Sequence, residues 1–501
     1  MKHLRGMPVL VLGLGDSGLA MARWCARCGA SVRVWDSRAE PPQRAALGDA
    51  GSFFTGALDA QALGDARLVL KSPGLAPHDA RIAPVIAAAA KAKVAVQGEL
   101  DLFAAALADL DAERDYRPRV VAITGTNGKT TTTALAGLLI ERAGKRVATA
   151  GNIGPSLLAT LAQALDDEPV LGNLPEVWVL ELSSFQLHGV QGFEPSAAVV
   201  LNLTEDHLDW HASMDDYAAA KRRVFGKHAV LVINRDDPRV EALLEPAEPK
   251  PGAKPRKARP RRVVRFGLDA PEHPGDYGLV TQNGLAWLVR AHDSDARRAR
   301  DDEVHLQPLM PVEALGVRGR HNAANALAAL ALAAAIGCAL APMLRALGEY
   351  RGEPHRVEFV ACVGGVDAFD DSKGTNVGAT AAAIDGLGDD RAPGKLVVIL
   401  GGDGKGQDFA PLAEPVRRHV RAVATLGRDA ERIESALAGS ALLVERAGTL
   451  AQATRWAFAH AQRGDAVLLS PACASFDMFR DYKHRADVFV AEVRAIEAES
   501  A

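Results

Sequence analysis

The chain has 501 residues, 48% of them hydrophobic and 24% charged, with 58 Lys and Arg against 62 Asp and Glu. That length and balance exclude a disordered or collagen-like chain and leave room for about three domains with real cores. The net charge of −4 excludes a nucleic-acid binder relying on a broad basic surface, and five cysteines are no disulfide framework.

The start, Met1 to Arg5, leads into a strand-like segment with no secretory apolar region, so a cytoplasmic location is expected. The apolar runs Val9–Leu12, Val32–Trp35 and Leu68–Leu70 read as buried parallel strands. Gly13-Leu14-Gly15-Asp16-Ser17-Gly18 follows the first and opens a helix. Glycines there let backbone approach a phosphate at a positive helix N-terminus, and Asp36, ending the next strand, can accept hydrogen bonds from a ribose or base. The turn marks a nucleotide site without separating NAD from a UDP-linked ligand; the plainer alternative is a turn that packs helix on strand. Cys25 and Cys28 have CxxC spacing with no second pair nearby, and read as helical cysteines facing the sheet.

A polar break near Ala105–Arg119 and another near Arg351–Pro354 divide the chain into expected domains 1–108, 109–352 and 353–501. In the second, the strand Val120–Ile123 runs into Gly125-Thr126-Asn127-Gly128-Lys129-Thr130-Thr131. This is a short variant of the P-loop, with Ile123 in the first glycine's place. Its amides wrap phosphate, Lys129 neutralises charge and the Thr130 hydroxyl can ligate Mg²⁺, so ATP or GTP binding is expected. The strands Val177–Leu180 and Ala197–Leu201 run into Glu181 and into Asn202 to Asp209, and parallel strands deliver such residues to one sheet edge. Glu181 and His207 suit Mg²⁺ or its waters. Tyr217 to Lys221 looks helical, and on pattern alone Lys221 is a surface lysine. Another strand is expected at Val230–Ile233. Glu245–Arg262, rich in Pro, Lys and Arg, reads as an exposed insertion; with no aromatic residues among its charges it is a poor nucleic-acid arm. Ala291–Glu303 reads as a surface loop. The uncharged run Ala326–Leu344, broken by Gly337 and Pro342, reads as two helices rather than a membrane span.

The last third has strands at Leu396–Leu400, Val423–Leu426 and Val467–Leu469. The loops Asp370 to Asn376, Gly401 to Gly406 and Ser470 to Phe476 place lysines and hydroxyls where a carboxylate ligand could be gripped. The fold class is therefore α/β with mainly parallel sheets.

These motifs together resemble the Mur ligase family. The resemblance runs nearly end to end, through the Gly13 turn, Ser72-Pro73-Gly74, Gly125 to Thr130, Gly151 to Gly154, Glu181 to Leu187, Thr204 to Asp209, Tyr217 to Lys221, His321 to Asn325, Pro354-His355-Arg356, Asp370 to Asn376, Gly401 to Phe409 and Ser470 to Asp477. It implies an N-terminal Rossmann-like UDP-binding domain, a central P-loop ATPase and a C-terminal Rossmann-like domain. It implies ATP-dependent ligation of D-glutamate to UDP-N-acetylmuramoyl-L-alanine by a monomer, with two Mg²⁺ and no nucleic-acid or membrane partner. The uridine end would be held by Leu14, Asp16, Ser17, Asp36, Ser37, Arg38, Ser72 and Gly74, and the muramoyl part by Asn152 and His207. ATP would meet the P-loop residues Gly125 to Thr131 with Asn325, Arg356 and Asp371. Thr130, Glu181, His207 and a carbamylated Lys221 would serve the metals. Catalysis would rest on Lys129, Glu181, His207 and Lys221. D-Glutamate would lie among Lys373, Thr375, Lys405, Ser475, Phe476 and Tyr482. The diaminopimelate-adding member's Asp-Asn-Pro-Arg motif is absent. Phe476 and Tyr482 stand where relatives tend to have Leu and Phe, and Arg485-Ala486 where they tend to have Arg-Gly. Another Mur ligase, a folylpolyglutamate synthase, a non-enzymatic nucleotide-dependent binding protein and a nicotinamide dehydrogenase are the competing readings.

Overall fold

The protein is described by a computed structural model over residues 2–167, 174–244, 261–293, 304–317, 319–439 and 442–500. The first third forms β1 (Pro8–Leu12), β2 (Ser31–Trp35), β3 (Ser52–Phe54), β4 (Leu68–Lys71) and β5 (Ala95–Gln97), a parallel sheet ordered β3-β2-β1-β4-β5. Alternate residues face opposite sides. Val9, Val11 and Leu70 pack with Ala20 and Met21 of the helix Asp16–Arg27, while Leu10, Leu12 and Val69 pack with Val85 and Ala89 of the helix Ala83–Ala92. Helices on both faces explain why these strands read as unbroken apolar runs. Cys25 is buried and burial pushes its thiol up to about 12; Cys28 caps the helix end, and both are free thiols.

The helix Glu99–Arg114 carries the chain past residue 108, so the boundary expected there falls inside a helix. Its buried face includes Phe103, whose ring meets Trp178 edge-on at 5.2 Å. Of the polar run that read as a break, Asp111 to Pro118, Glu113 and Arg114 lie in its exposed last turn.

The central sheet contains β6 (Arg119–Thr124), β7 (Val147–Gly151), β8 (Val177–Glu181), β9 (Ala197–Val200), β10 (Val230–Asn234), β11 (Val263–Phe266), β12 (Tyr277–Gln282), β13 (Leu285–Asp293) and β14 (Val304–Pro311). Its order is β14-β13-β12-β11-β10-β9-β6-β8-β7, parallel from β7 to β12 and antiparallel over β12-β13-β14. Ala291 to Asp293 thus belong to a strand rather than the expected loop, because they pair with Val304 to Leu306; residues 294–303 lie outside the described residues. The same holds for 245–260 of the basic stretch. Arg261, at its end, is no exposed arm: its guanidinium donates to the carbonyls of Phe225 (2.5 Å), Gly226 (3.2 Å) and Ala229 (3.2 Å).

The uncharged run forms the helices Arg320–Ala335 and Leu340–Glu349. The chain turns at Gly337, φ +93, whereas Pro342 sits in the second helix's first turn, where its missing N–H is harmless. No helix among the described residues is long and apolar enough to cross a membrane.

The last third contains β15 (Glu358–Val363), β16 (Val366–Asp370), β17 (Leu396–Gly401), β18 (Val420–Leu426), β19 (Leu443–Arg446) and β20 (Ala466–Leu469), ordered β15-β16-β20-β17-β18-β19. Only the β15-β16 pair is antiparallel among these.

Candidate active site

The Gly13 turn is built by sterics: a Cβ on Gly18 would fall 1.9 Å from Gly13 O. Leu14, Asp16, Ser17, Asp36, Ser37, Arg38, Ser72 and Gly74 all line one cavity of about 500 Å³. Asp36 Oδ2 accepts from Leu14 N at 2.8 Å, and Oδ1 accepts from Arg38 N and Nε at 3.0 and 2.9 Å. Burial opposes ionisation of Asp36, but these hydrogen bonds and the Arg38 charge outweigh it and hold the carboxyl at about 2. A depressed carboxyl stabilises the fold above its ordinary value of 3.8 and loses that contribution as pH falls toward about 2. Asp36→Asn is therefore expected to lower Tm by a few degrees at pH 6, the two proteins converging on acidification. Thermal melts across pH test this; a constant gap would refute it.

The second site begins where β6 ends. Gly128 has φ +79, and a Cβ there would lie 2.5 Å from Asn325 Oδ1, so only glycine admits this approach. Asn325 Oδ1 also accepts from Thr132 Oγ1 at 3.3 Å. Asn202, just past β9, shapes the loop from below. Its carbonyl accepts from Thr126 N (3.0 Å), its Oδ1 accepts from Asn127 N (2.8 Å) and its Nδ2 donates to Asn127 O (3.2 Å). Asn202 was not among the expected site residues; its place as the first polar residue after an apolar strand was the available signal. Lys129 Nζ curls back to donate to Gly125 O and Thr126 O, both at 2.8 Å. Burial pulls its ammonium down, against the charges of Glu181 and Asp206.

Glu181 is 1% exposed; Oε1 accepts from Asn152 Nδ2 at 2.9 Å, while Oε2 is buried with no hydrogen-bond partner. A buried carboxylate oxygen without a donor is costly and fits a cation. His207, at φ +56, lies with Nε2 3.5 Å from Asp206 Oδ2. Burial, helped by Lys405, Lys129 and Lys221 and opposed by Asp206, takes the imidazole down to about 4, leaving it neutral at pH 7.

Lys221 corrects the surface reading. It is 1% exposed, because the helix Met214–Arg222 turns Tyr217, Ala220 and Lys221 inward. Its Nζ donates to Gly125 O at 2.8 Å and to Thr124 Oγ1 at 3.4 Å, and lies 4.6 Å from the Tyr217 ring centroid. Burial, reinforced by Lys129, drives its pKa well below the usual lysine value. Glu181 Oε2 and Thr130 Oγ1 are oxygens of the kind a hard divalent cation takes, and the neutral His207 ring can accept from its waters; an amine is no such ligand, whereas an N-carboxylated lysine offers oxygens.

The last third closes on this loop. Arg356 Nη2 donates to Thr130 Oγ1 at 2.9 Å, and Asn376 Nδ2 donates to Asn127 Oδ1 at 2.8 Å. Burial raises Asp371 to about 7, and its Oδ2 accepts from Ser470 Oγ at 2.6 Å. Lys373 Nζ lies 5.2 Å from the Tyr482 ring centroid; burial lowers its pKa, and the charges of Arg356, Glu181 and Lys129 all reach it. Thr375 N donates to Lys373 O at 2.9 Å, and Lys405, at φ +50, donates from N to Asp403 Oδ1 at 3.0 Å. Ser475 is buried, but Phe476 is 74% exposed and is not packed into this cluster. Arg485 has a place that its motif did not reveal. It is 2% exposed, with Nη1 donating to Cys473 O (3.1 Å) and Nη2 to Ser372 O (2.8 Å), so it ties two site loops together. Ala486 beside it is fully buried.

The chain matches the family described as "Mur ligase middle domain" over residues 123–333, "Mur ligase, glutamate ligase domain" over 355–473 and "Mur ligase MurD-like, N-terminal domain" over 7–98. Proteins named "UDP-N-acetylmuramoylalanine--D-glutamate ligase" from Albidiferax ferrireducens and Paraburkholderia xenovorans are 57% and 54% identical to it. Each alignment covers 98% of this chain, and 97% and 96% of the respective relative. The chain belongs to the Mur ligase family. Among solved structures, UDP-N-acetylmuramate-alanine ligase MurC from Thermotoga maritima aligns with TM-score 0.56 at 20% identity, over 98% of this chain and 99% of that one. MurF ligase from the same organism, in complex with ADP, aligns with TM-score 0.57 at 18% identity, over 99% and 96%. These likenesses establish the three-domain Mur ligase fold with mainly parallel sheets.

Proposed function

We propose that this Mur ligase joins D-glutamate to UDP-N-acetylmuramoyl-L-alanine, driven by cleavage of ATP, in cytoplasmic peptidoglycan precursor synthesis, and that it works as a monomer. The full-length relatives bearing that activity in their name support the substrates. The observation that carries the chemistry is the meeting of Lys129, Glu181 and Lys221 around one glycine loop, with Arg356 and Asn376 brought onto it from the last third. On this reading the first third holds the uridine end, the central third the ATP and the last third the amino acid.

The L-alanine carboxylate attacks the γ-phosphate of ATP, giving an acyl phosphate and ADP. Lys129 neutralises the charge that develops on the transferring group, and the loop amides orient it. Glu181, Thr130, His207 and a carbamylated Lys221 would hold two Mg²⁺, which supply further charge neutralisation at the phosphates. Asn325, Arg356 and Asp371 hold ATP, while Asn152, itself oriented by its bond to Glu181, meets the muramoyl arm. The D-glutamate amine, held near Lys373, Thr375, Lys405, Ser475 and Tyr482, attacks the acyl carbon. The tetrahedral adduct then loses phosphate and the amine proton, leaving the amide. Closing the last third over the loop excludes water that would hydrolyse the acyl phosphate. Gly352, at φ +91, sits where such a hinge is needed.

ADP and phosphate release by the purified protein is expected to require both the UDP-sugar and D-glutamate. Turnover with L-lysine or diaminopimelate but not D-glutamate would refute the substrate assignment. ATP binding without substrate-stimulated release would favour a binding protein.

A further inference from the structure

Lys71 takes part in none of these steps. It ends β4 in register with Leu12 of β1, immediately before Ser72, whose Oγ donates to Gly13 O at 3.0 Å. Its Nζ donates to Leu75 O at 2.6 Å and lies 5.5 Å from the ring centroid of Trp210, which belongs to the central third. The carboxylate whose charge reaches it, Asp79, is already bonded by Arg81 Nη2 at 2.6 Å. Burial without a dedicated anion pulls the Lys71 ammonium down to about 8. A half-buried cation of this kind, bonded to a carbonyl and to no carboxylate of its own, is a place where a ligand can supply the charge.

The surroundings point to such a ligand. Lys71 lines a cavity of about 220 Å³ between the first and central thirds, together with Pro73, Gln186, His188 and two carboxylates, Glu99 and Asp101, which are turned to backbone amides: Glu99 Oε1 accepts from Leu158 N, and Asp101 accepts from Gly98 N and Gln191 N. Pro73 also lines the nucleotide cavity around Asp36, so the two cavities share a wall. Trp210 Nε1, in the residue that covers Lys71, is buried without a hydrogen-bond partner. Lys71 thus stands between the nucleotide turn and the Glu181 segment, beside the stretch that one ligand reaching both must cross.

We propose that Lys71 is a further substrate-binding residue whose ammonium takes an anionic oxygen of the UDP-sugar. This rests on the proposed function. The oxygen belongs either to the diphosphate or to the L-alanine carboxylate, and the experiment separates them. UDP-N-acetylmuramoyl-L-alanine, UDP and uridine are titrated calorimetrically, without ATP, into the parent protein, Lys71→Met and Lys71→Arg. Losing one charge-assisted hydrogen bond should weaken the UDP-sugar about ten- to a hundredfold in Lys71→Met, with recovery in Lys71→Arg and uridine unchanged. An equal loss for UDP assigns the diphosphate; a loss confined to the UDP-sugar assigns the carboxylate. Unchanged ATP affinity verifies the fold of Lys71→Met; if that affinity falls, Lys71→Gln takes its place in the same titrations. Parental affinity for the UDP-sugar in the variant, or an equal loss for uridine, would overturn the contact. Failure of the parent protein itself to bind the UDP-sugar would overturn the substrate reading, and this contact with it.

Discussion

Lys129→Ala is expected to slow ADP release by at least about a thousandfold, the scale lost when a positioned cation is removed from phosphoryl transfer. No neighbour can stand in for it. Lys221 is held toward its neutral form by burial, and Arg356 is directed at Thr130 Oγ1. Two contributions must be separated, because Lys129 Nζ also bonds Gly125 O and Thr126 O and so braces the loop. Lys129→Gln keeps a donor without the charge. If the charge matters chiefly in the transition state, both variants lose kcat far more than ATP affinity. Calorimetric titration of ATP beside the ADP-release rate reads that split, and near-parental turnover in Lys129→Ala would remove the residue from the mechanism.

What could be read from the sequence follows from which faces the fold covers. Val9–Leu12, Val177–Leu180, Leu396–Leu400 and the other expected strands form because parallel strands covered on both faces must be apolar throughout. β12, β13 and β14 escaped notice because the antiparallel end of the sheet tolerates polar residues, as in Tyr277–Gln282 and Val304–Pro311. The glycine loops were legible at both nucleotide sites, since sterics at Gly18 and Gly128 leave a residue-type signature. Lys221 and Arg485 left none. A lysine on a helix reads as solvent-facing until tertiary packing turns that face inward, and an arginine that bonds two carbonyls far away in sequence has no local pattern. The helix Glu99–Arg114 hid the first domain junction for the converse reason: its exposed final turn has a linker's composition.

Lys221→Met should separate stability from turnover. A buried amine, far below its ordinary pKa, contributes little to the fold beyond its bond to Gly125 O, a carbonyl that also accepts from Lys129. Methionine fills a similar slot without desolvating an amine, so Tm is expected to stay level or rise. Turnover should nonetheless fall at least about a hundredfold. The reason is chemical: a neutral amine has a free lone pair and can add to CO₂, whereas an ammonium cannot. The resulting carbamate, formed with release of one amine proton, would place anionic oxygens beside Lys129 and near Glu181, converting a neutral amine into a partner for Mg²⁺. Removing dissolved CO₂ should therefore depress the parent protein's ADP release and bicarbonate restore it, with Lys221→Met indifferent to both. A purely structural lysine gives the opposite pattern: Tm drops in the variant, turnover follows stability, and CO₂ has no effect on either protein.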